Sequence, residues 1–510
     1  MTAAVASEGK PKLELAPTVF WVLIGSIFMT IFLAAMDATI VASAEGAITS
    51  DLGQEQLLPW IGSAFLISST VSAASSGNLA NTFGLKWTFA GLNCLFLLGC
   101  VICGAANNMS MLIGNYLAVT VAVWTLSAVL GPLIGGAFAD HGLWRWCFYI
   151  NIPICAIATP VVIISLKDSE TPIGTLREKF TELDFAGYAV VIVGLICLVT
   201  SMQQGGIAWG WGSAQIVVLL VLAVLSLVVF VVVEAKVSRN PMTPMEMFAN
   251  RNANALFLIA FTAGAVYYAL LYYLAIFFQI NYGASGIIAG VQCIPFLFGL
   301  MIGSFAATRL LEKTGKFWHL MVVCAVMIIA FTVGVSFLDA NSYLAERIFI
   351  TFLLGLPIGV FVQNRMALLP KYMAPHLNNV ATAFSQFLIS LGGGIGVALV
   401  GAIQNNITSE HVAQSEFLLE ELKSPIFANI DVTQLVEIRE ILAGLQNNTN
   451  ASIALTQLID SYNNGFSIAM RVVIVFGILA LASVLVLKEE SKSESIEKKH
   501  PEEVAFELAF

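Results

Sequence analysis

Ionisable side chains inside apolar runs are the residues of this chain that can carry chemistry, because a charge in hydrocarbon is costly and is kept for a purpose. Asp37 stands about two-thirds of the way along the apolar run 18–41, on one helical face with Leu33 and Val41. Its carboxyl can take a proton from one side of a barrier and give it to the other. It can equally stay charged and hydrogen-bond Thr39 or a neighbouring helix. Arg145 and Asn151 open another run, where they can bind a neighbouring helix or Asp140. Arg365 ends a run and reads as a charge anchored at the membrane edge, and Arg471 reads as snorkelling outward. Gln279, Gln292, Gln363, Asn364 and Gln386 can offer uncharged hydrogen bonds to a substrate or stitch helices together. Tyr268 and Tyr272, one turn apart, can line an apolar cavity or face lipid.

Other chemistries lack their parts. The fragment nearest to a phosphate-cradling loop is Gly315-Lys316, with Leu310 where the first glycine belongs and Phe317 where a hydroxyl is needed. No His, Cys and acid cluster has ligand spacing, so neither a metal nor a cofactor is expected. The eight cysteines lie in or beside apolar stretches and read as packing thiols, including Cys100 and Cys103 despite their redox-like spacing. No enzymatic activity is expected.

The elements that must position these residues are membrane spans. Of 510 residues 58% are hydrophobic and only 11% charged, against roughly 25% charged in ordinary globular domains. The mean hydropathy is +0.87. A net charge of −9 gives no basic field for nucleic acid. A span needs roughly 20 apolar residues, and thirteen candidates follow: 18–41, 57–77, 86–107, 113–139, 147–167, 185–203, 214–234, 253–279, 285–309, 318–338, 344–365, 378–405 and 465–487. A cleaved signal peptide at the N-terminus is disfavoured, because the run is too long and Asp37 interrupts it.

Lys and Arg collect on the cytoplasmic side of short loops. Lys10 and Lys12 place the N-terminus inside, and loops 168–184, 235–252, 309–317 and 365–377 follow by their bases. Loop 406–464 has eight acids against Lys423 and Arg439, and sequons at Asn406, Asn447 and Asn450, so it reads as outside. A further sequon at Asn108 reads as outside too. The two ends of the chain do not join, however. One crossing is missing between about 107 and 168, by charge counting alone.

Several runs are recognisable. Leu33 to Val41 (LAAMDATIV), Gly131-Pro132-Leu-Ile-Gly135-Gly136, and Trp144 to Pro153 (WRWCFYINIP) are similar to motifs of the first, fifth and sixth spans of one family. The chain resembles the major facilitator superfamily, specifically its fourteen-span drug:proton antiporters. The loop Gly77 to Lys86 departs from the family pattern: Asn81 stands for its acid and Leu85 for its arginine, while Gly77, Gly84 and Lys86 remain. The arginine-bearing fourth span is missing, since Ile113 runs straight into Gly114 and what looks like the fifth span.

The resemblance implies an all-α fold of two six-helix bundles plus two extra central spans, minus the fourth. Its divisions would be a cytoplasmic tail 1–17, an incomplete N-terminal bundle 18–167, a linker with two spans 168–252, a C-terminal bundle 253–487 with the extracellular loop, and a cytoplasmic tail 488–510. It implies proton-coupled export of a small amphipathic compound from the plasma membrane by a monomer in the lipid bilayer. Asp37 would carry the proton, Gly131, Pro132, Gly135 and Gly136 would form the antiporter motif, and Arg145 and Asn151 would brace the conformers. A vacuolar location, a siderophore:proton carrier and a transport-inactive product of a deletion stay open as alternatives.

Overall fold

A computed structural model describes residues 82–105, 145–165, 184–205, 209–236, 243–314, 316–374, 377–415, 435–445 and 449–488, with a few isolated positions that include Gly25, Ile48, Asp51, Leu79, Ala80 and Leu418. Within these the chain is almost wholly helical. Lipid offers the backbone no hydrogen bonds, so an apolar run that crosses it must satisfy its own amides as a helix. The elements are α1 (Leu85–Gly104), α2 (Trp146–Tyr149), α3 (Asn151–Ser165), α4 (Phe185–Gln204), α5 (Ala214–Lys236), α6 (Arg251–Tyr282), α7 (Gly286–Thr314), α8 (Trp318–Ser336), α9 (Leu344–Leu368), α10 (Asn378–Gln414), α11 (Leu435–Gly444) and α12 (Thr449–Val486). Nine helical stretches among the described residues are long and apolar enough to cross a bilayer, and Gly187–Met202 of α4 is a shorter apolar one. The expected spans 18–41, 57–77 and 113–139 lie outside the described residues.

Local chemistry sets several boundaries. Gly84, just before α1, has φ 81°, a left-handed conformation that favours glycine. Asn250 starts α6 by accepting a hydrogen bond from Asn252 N at 2.9 Å, and Gly283 ends it at φ 62°.

Six helices, α6 to α10 and α12, form one bundle around a continuous apolar core. Its two tightest pairs, α6 with α10 and α7 with α9, are glycine-lined. A Cβ at Gly303 or Gly359 would run into the backbone carbonyls of Leu356 or Leu300, and one at Gly264 or Gly392 into those of Ile389 or Phe261. Backbones therefore touch directly, as small residues permit in membranes. The sequence pattern Gly355, Pro357, Gly359 reads as a helix break. Instead α9 runs unbroken through Pro357, and both glycines serve close packing against α7. Separately, α4 and α5 pair, with Gly194 against Ser226, and α4 leans on α10 through Val191, Leu195 and Phe387. The small group α1, α2 and α3 packs together.

The expected loop 406–464 is largely helix. α10 has 37 residues and α12 has 38. At 1.5 Å per residue each is about 55 Å long, well over a hydrocarbon core of about 30 Å. Falling hydropathy marks where water begins, not where backbone hydrogen bonding stops.

Seams at the two ends hold the bundle in register. At one end Asn252 Nδ2 donates to Lys488 O and Lys488 N to Asn252 Oδ1, both at 3.0 Å, and Asn250 Nδ2 donates to Tyr372 O at 3.3 Å. At the other end Tyr282 Oη donates to Asp339 O at 2.5 Å and Arg439 Nε of α11 donates to Ile280 O at 2.8 Å. Arg347 there lies 3.7 Å over the Tyr282 ring and donates to Gln292 Oε1 at 3.2 Å. Burial pulls the Arg439 guanidinium below its ordinary range, while Glu440 raises it again.

Candidate functional site

A polar cluster sits in the apolar bundle where α9 meets α10. Arg365 is 1% exposed. Its Nη1 donates to Ser385 Oγ at 2.7 Å and its Nη2 to Gln386 Oε1 at 2.8 Å. Its Nε finds no acceptor, and no described carboxylate pairs with it. The neighbouring Asn364 is also 1% exposed, with neither side-chain atom hydrogen-bonded. The structure thus brings together three expected polar residues, Asn364, Arg365 and Gln386. Arg365 stands in the last turn of its helix, as the sequence suggests, but it is enclosed by protein and not exposed as an edge anchor would be. α9 continues to Leu368, so the residue lies inside the helix, and two neutral acceptors on α10 hold the guanidinium there.

The remaining expected residues scatter. Tyr268 is buried on α6 against Gly393, with its ring 5.2 Å from that of Tyr267. Tyr272 stacks edge-on with Tyr273 at 5.5 Å, and Tyr273 Oη donates to Val397 O at 3.2 Å. Gln279 donates back into its own helix at Ala275 O, 3.4 Å away. Gln363 is half-buried on α9.

In the N-terminal group, Arg145 Nη1 pairs with Asp51 Oδ2 at 2.7 Å, with side chains 38% and 48% exposed, and Asp140 lies outside the described residues. Screened pairs of this kind contribute about 0.2–1 kcal/mol. Asn151 is wholly buried and donates from Nδ2 to Cys100 Sγ at 3.4 Å, and Cys155 Sγ faces Asn93 Oδ1 at 3.8 Å. Cys100 accepts and Cys155 donates, and none of the eight cysteines forms a disulfide. Lys86 Nζ lies 5.7 Å from the centre of the Trp87 ring. Asn406 sits inside α10 with its amide nitrogen donated to Ala402 O at 2.6 Å, whereas Asn450 is exposed in the first turn of α12. Asp37, Gly77, Asn81, Asn108, Gly131, Pro132, Gly135, Gly136 and Asn447 lie outside the described residues.

Sequence reasoning missed two features. Ser385 carries no signal, since a serine among apolar residues is common. Asp184 and Glu234 end their apolar runs, where acids are ordinary, yet both are buried. Among the described residues no group of three His, Cys, Asp or Glu side chains could hold a metal.

Long apolar helices, packed backbone to backbone through glycine and enclosing a guanidinium and amides, define a multi-pass membrane transporter scaffold. Comparison with known proteins makes this particular. The model of the Major Facilitator Superfamily matches residues 114–397. The efflux pump dotC of Dothistroma septosporum is 30% identical, over 79% of this chain and 74% of that one. The MFS-type efflux pump LUC4 of Fusarium sp is 27% identical, over 96% of this chain and 92% of its own. A bacterial homolog to the human lysosomal transporter Spinster, in an inward-facing and unoccupied conformation, shares the fold at a TM-score of 0.51 and 14% identity, covering 92% of this chain and 98% of that chain. The chain belongs to the Major Facilitator Superfamily, and secondary transport rather than catalysis is its class of activity.

The LUC4 alignment runs over 528 positions yet takes up 96% of 510 residues, about 490, so about 38 positions face no residue of this chain. The family match opens at Gly114.

Proposed function

We propose that the chain is a proton-coupled exporter of a small amphipathic compound, working by alternating access in the plasma membrane as a monomer. The observation that carries this is the Arg365 cluster: a buried guanidinium with neutral acceptors only, beside an Asn364 whose amide has no partner. Protein that only had to fold would gain little from keeping such groups in hydrocarbon. Relatives named as efflux pumps support the outward direction. In the cycle Asp37 loses its proton inward, the substrate enters among the polar groups, and reprotonation from outside resets the carrier. The amides of Asn364 and Gln386 offer hydrogen bonds, and Tyr268 and Tyr272 offer apolar surface.

The test is efflux of fluorescent dyes and azoles from cells expressing the chain, with and without an uncoupler. The expected result is efflux that an uncoupler abolishes and that Asp37→Asn reduces at least tenfold. Uncoupler-insensitive efflux overturns proton coupling, and full activity of the Asn variant removes Asp37 from the mechanism.

The roughly 38 unmatched positions support a second reading, in which the chain as written lacks its fourth span and does not complete the cycle. Efflux absent from this chain, and restored when the corresponding segment of a relative is inserted after Ile113, would establish that reading. The transcript across codons 113 and 114 shows whether the gap is genomic.

A further inference from the structure

The two extra spans meet the C-terminal bundle through a pair of acids that the transport cycle above does not use. Asp184 is the residue preceding α4, and its Oδ1 accepts from Gly187 N at 2.9 Å. Glu234 lies in the last turn of α5. Its Oε2 accepts from Thr243 N at 2.8 Å and from Thr243 Oγ1 at 3.0 Å, on the segment that leads into α6. Exposure is 7% for Asp184, 3% for Glu234 and 4% for Thr243. Each acid therefore has one oxygen engaged. The other two, Asp184 Oδ2 and Glu234 Oε1, have no hydrogen-bond donor. They converge on one point: a Cβ on Gly187 would meet both, Glu234 Oε1 at 3.1 Å and Asp184 Oδ2 closer still.

The surroundings supply no described cation. The groups acting on Glu234 are Thr243 and Asp184. α10 presents Phe384, Phe387 and Leu388 to this hairpin, and Tyr188 is the other titratable side chain in the first turn of α4. Lys236 and Glu246 are exposed, and Lys179 and Arg239 lie outside the described residues. Two carboxylates this close, away from water, do not both stay ionised. A divalent cation would need further ligands beyond two carboxylate oxygens, and the described side chains here offer only these two free oxygens in a site closed to solvent. A proton needs just two.

We propose that Asp184 and Glu234 bind one proton between their facing oxygens, as a charge-assisted hydrogen bond that clasps α4, α5 and the segment entering α6. One proton satisfies both orphan oxygens and leaves the pair with a single charge. Gly187 is the residue that lets the oxygens meet.

The test is infrared spectroscopy of the purified full-length chain in detergent at neutral pH, before and after exchange into heavy water. The expected result is a protonated-carboxyl stretch that shifts on exchange. Glu234→Gln and Asp184→Asn should each remove the same one-acid band, and the double variant should remove no more, because one proton serves two groups. A band untouched by either variant overturns the proposal, as does a band lost in only one of them. A spectrum with both groups ionised overturns it too and points to a basic partner such as Arg239. Stability gives a readout that does not require the Asn variant to fold. A proton shared between the two carboxyls is held only in the folded state, so the proposal requires wild-type stability to be greatest on the acid side and to fall as pH rises and that proton is lost. Glu234→Gln, whose amide mimics the protonated acid, should melt at a temperature independent of that change. A wild-type melting temperature that is flat toward alkaline pH, or a Gln variant as pH-sensitive as wild type, counts against a shared proton.

Discussion

α5 and α6 are both long, apolar and membrane-crossing, and the fold treats them oppositely. Only 6% of the α5 span is buried within the protein, against 78% of the α6 span. The more apolar of the two is the more exposed. α5 is a nearly unbroken series of Val and Leu, and Val217, Val221, Val224 and Leu227 all face outward. α6 mixes Ala, Gly, Thr, Asn and Tyr with its larger residues. In lipid, burying Leu against Leu gains little, because acyl chains are equally apolar. Interior helices are chosen for close approach and for polar contacts, and lipid-facing ones for bulk hydrophobicity. Hydropathy therefore finds both helices and inverts their places if it is read as a measure of burial.

Substitutions can break that contrast. The largest effect is expected at the glycine seam. Gly359→Leu must push a side chain through the Leu300 carbonyl on α7, where backbone cannot yield. A cost above about 3 kcal/mol is expected, beyond the usual overpacking range, read as loss of monodisperse protein in detergent. Gly394→Ala is the control, since a Cβ there meets nothing within 4 Å, and it should purify like wild type. Equal yields of the two variants would refute backbone contact as the basis of the α7–α9 pair.

Arg365→Met comes next. It leaves Ser385 and Gln386 without their donor, at about 1–3 kcal/mol for each unsatisfied group, and should cut dye efflux at least tenfold at matched expression. Arg365→Lys should not rescue efflux, because one ammonium cannot reproduce two diverging N–H contacts. Unimpaired efflux in the Met variant would reduce the cluster to packing. Asn252→Ala, at the end seam, loses a reciprocal pair of bonds to Lys488 and should cost about 1–3 kcal/mol, measured by thermal unfolding. The smallest change is expected on α5: Val224→Leu should stay within about 0.5 kcal/mol of wild type. A larger loss there would mean that this face meets protein and not lipid.

The positions of the described spans were legible in the sequence, because length and apolarity are properties of one segment. The ends at Trp318, Leu344 and Asn378 fall where composition changes. Two things were not legible, since they depend on partners distant in the chain. Arg365 resembles a boundary charge until Ser385 and Gln386 are seen beside it, and Asp184 and Glu234 resemble solvated helix ends until Thr243 and Gly187 enclose them. The glycines were half legible. Gly392 and Gly396 announce close packing, but Gly264, Gly299 and Gly303 show their purpose only against a facing helix.

α11 is bolted by Arg439 to the carbonyl that ends α6, and it rests on the overhanging portion of α12. It is therefore a handle fixed to one half of the molecule. A fluorophore attached at its exposed Gly444 or Glu440 would ride with α6 and α12 as a rigid pointer. Distance changes from that dye to a label on the other half would report the carrier's swing without touching any residue that handles cargo.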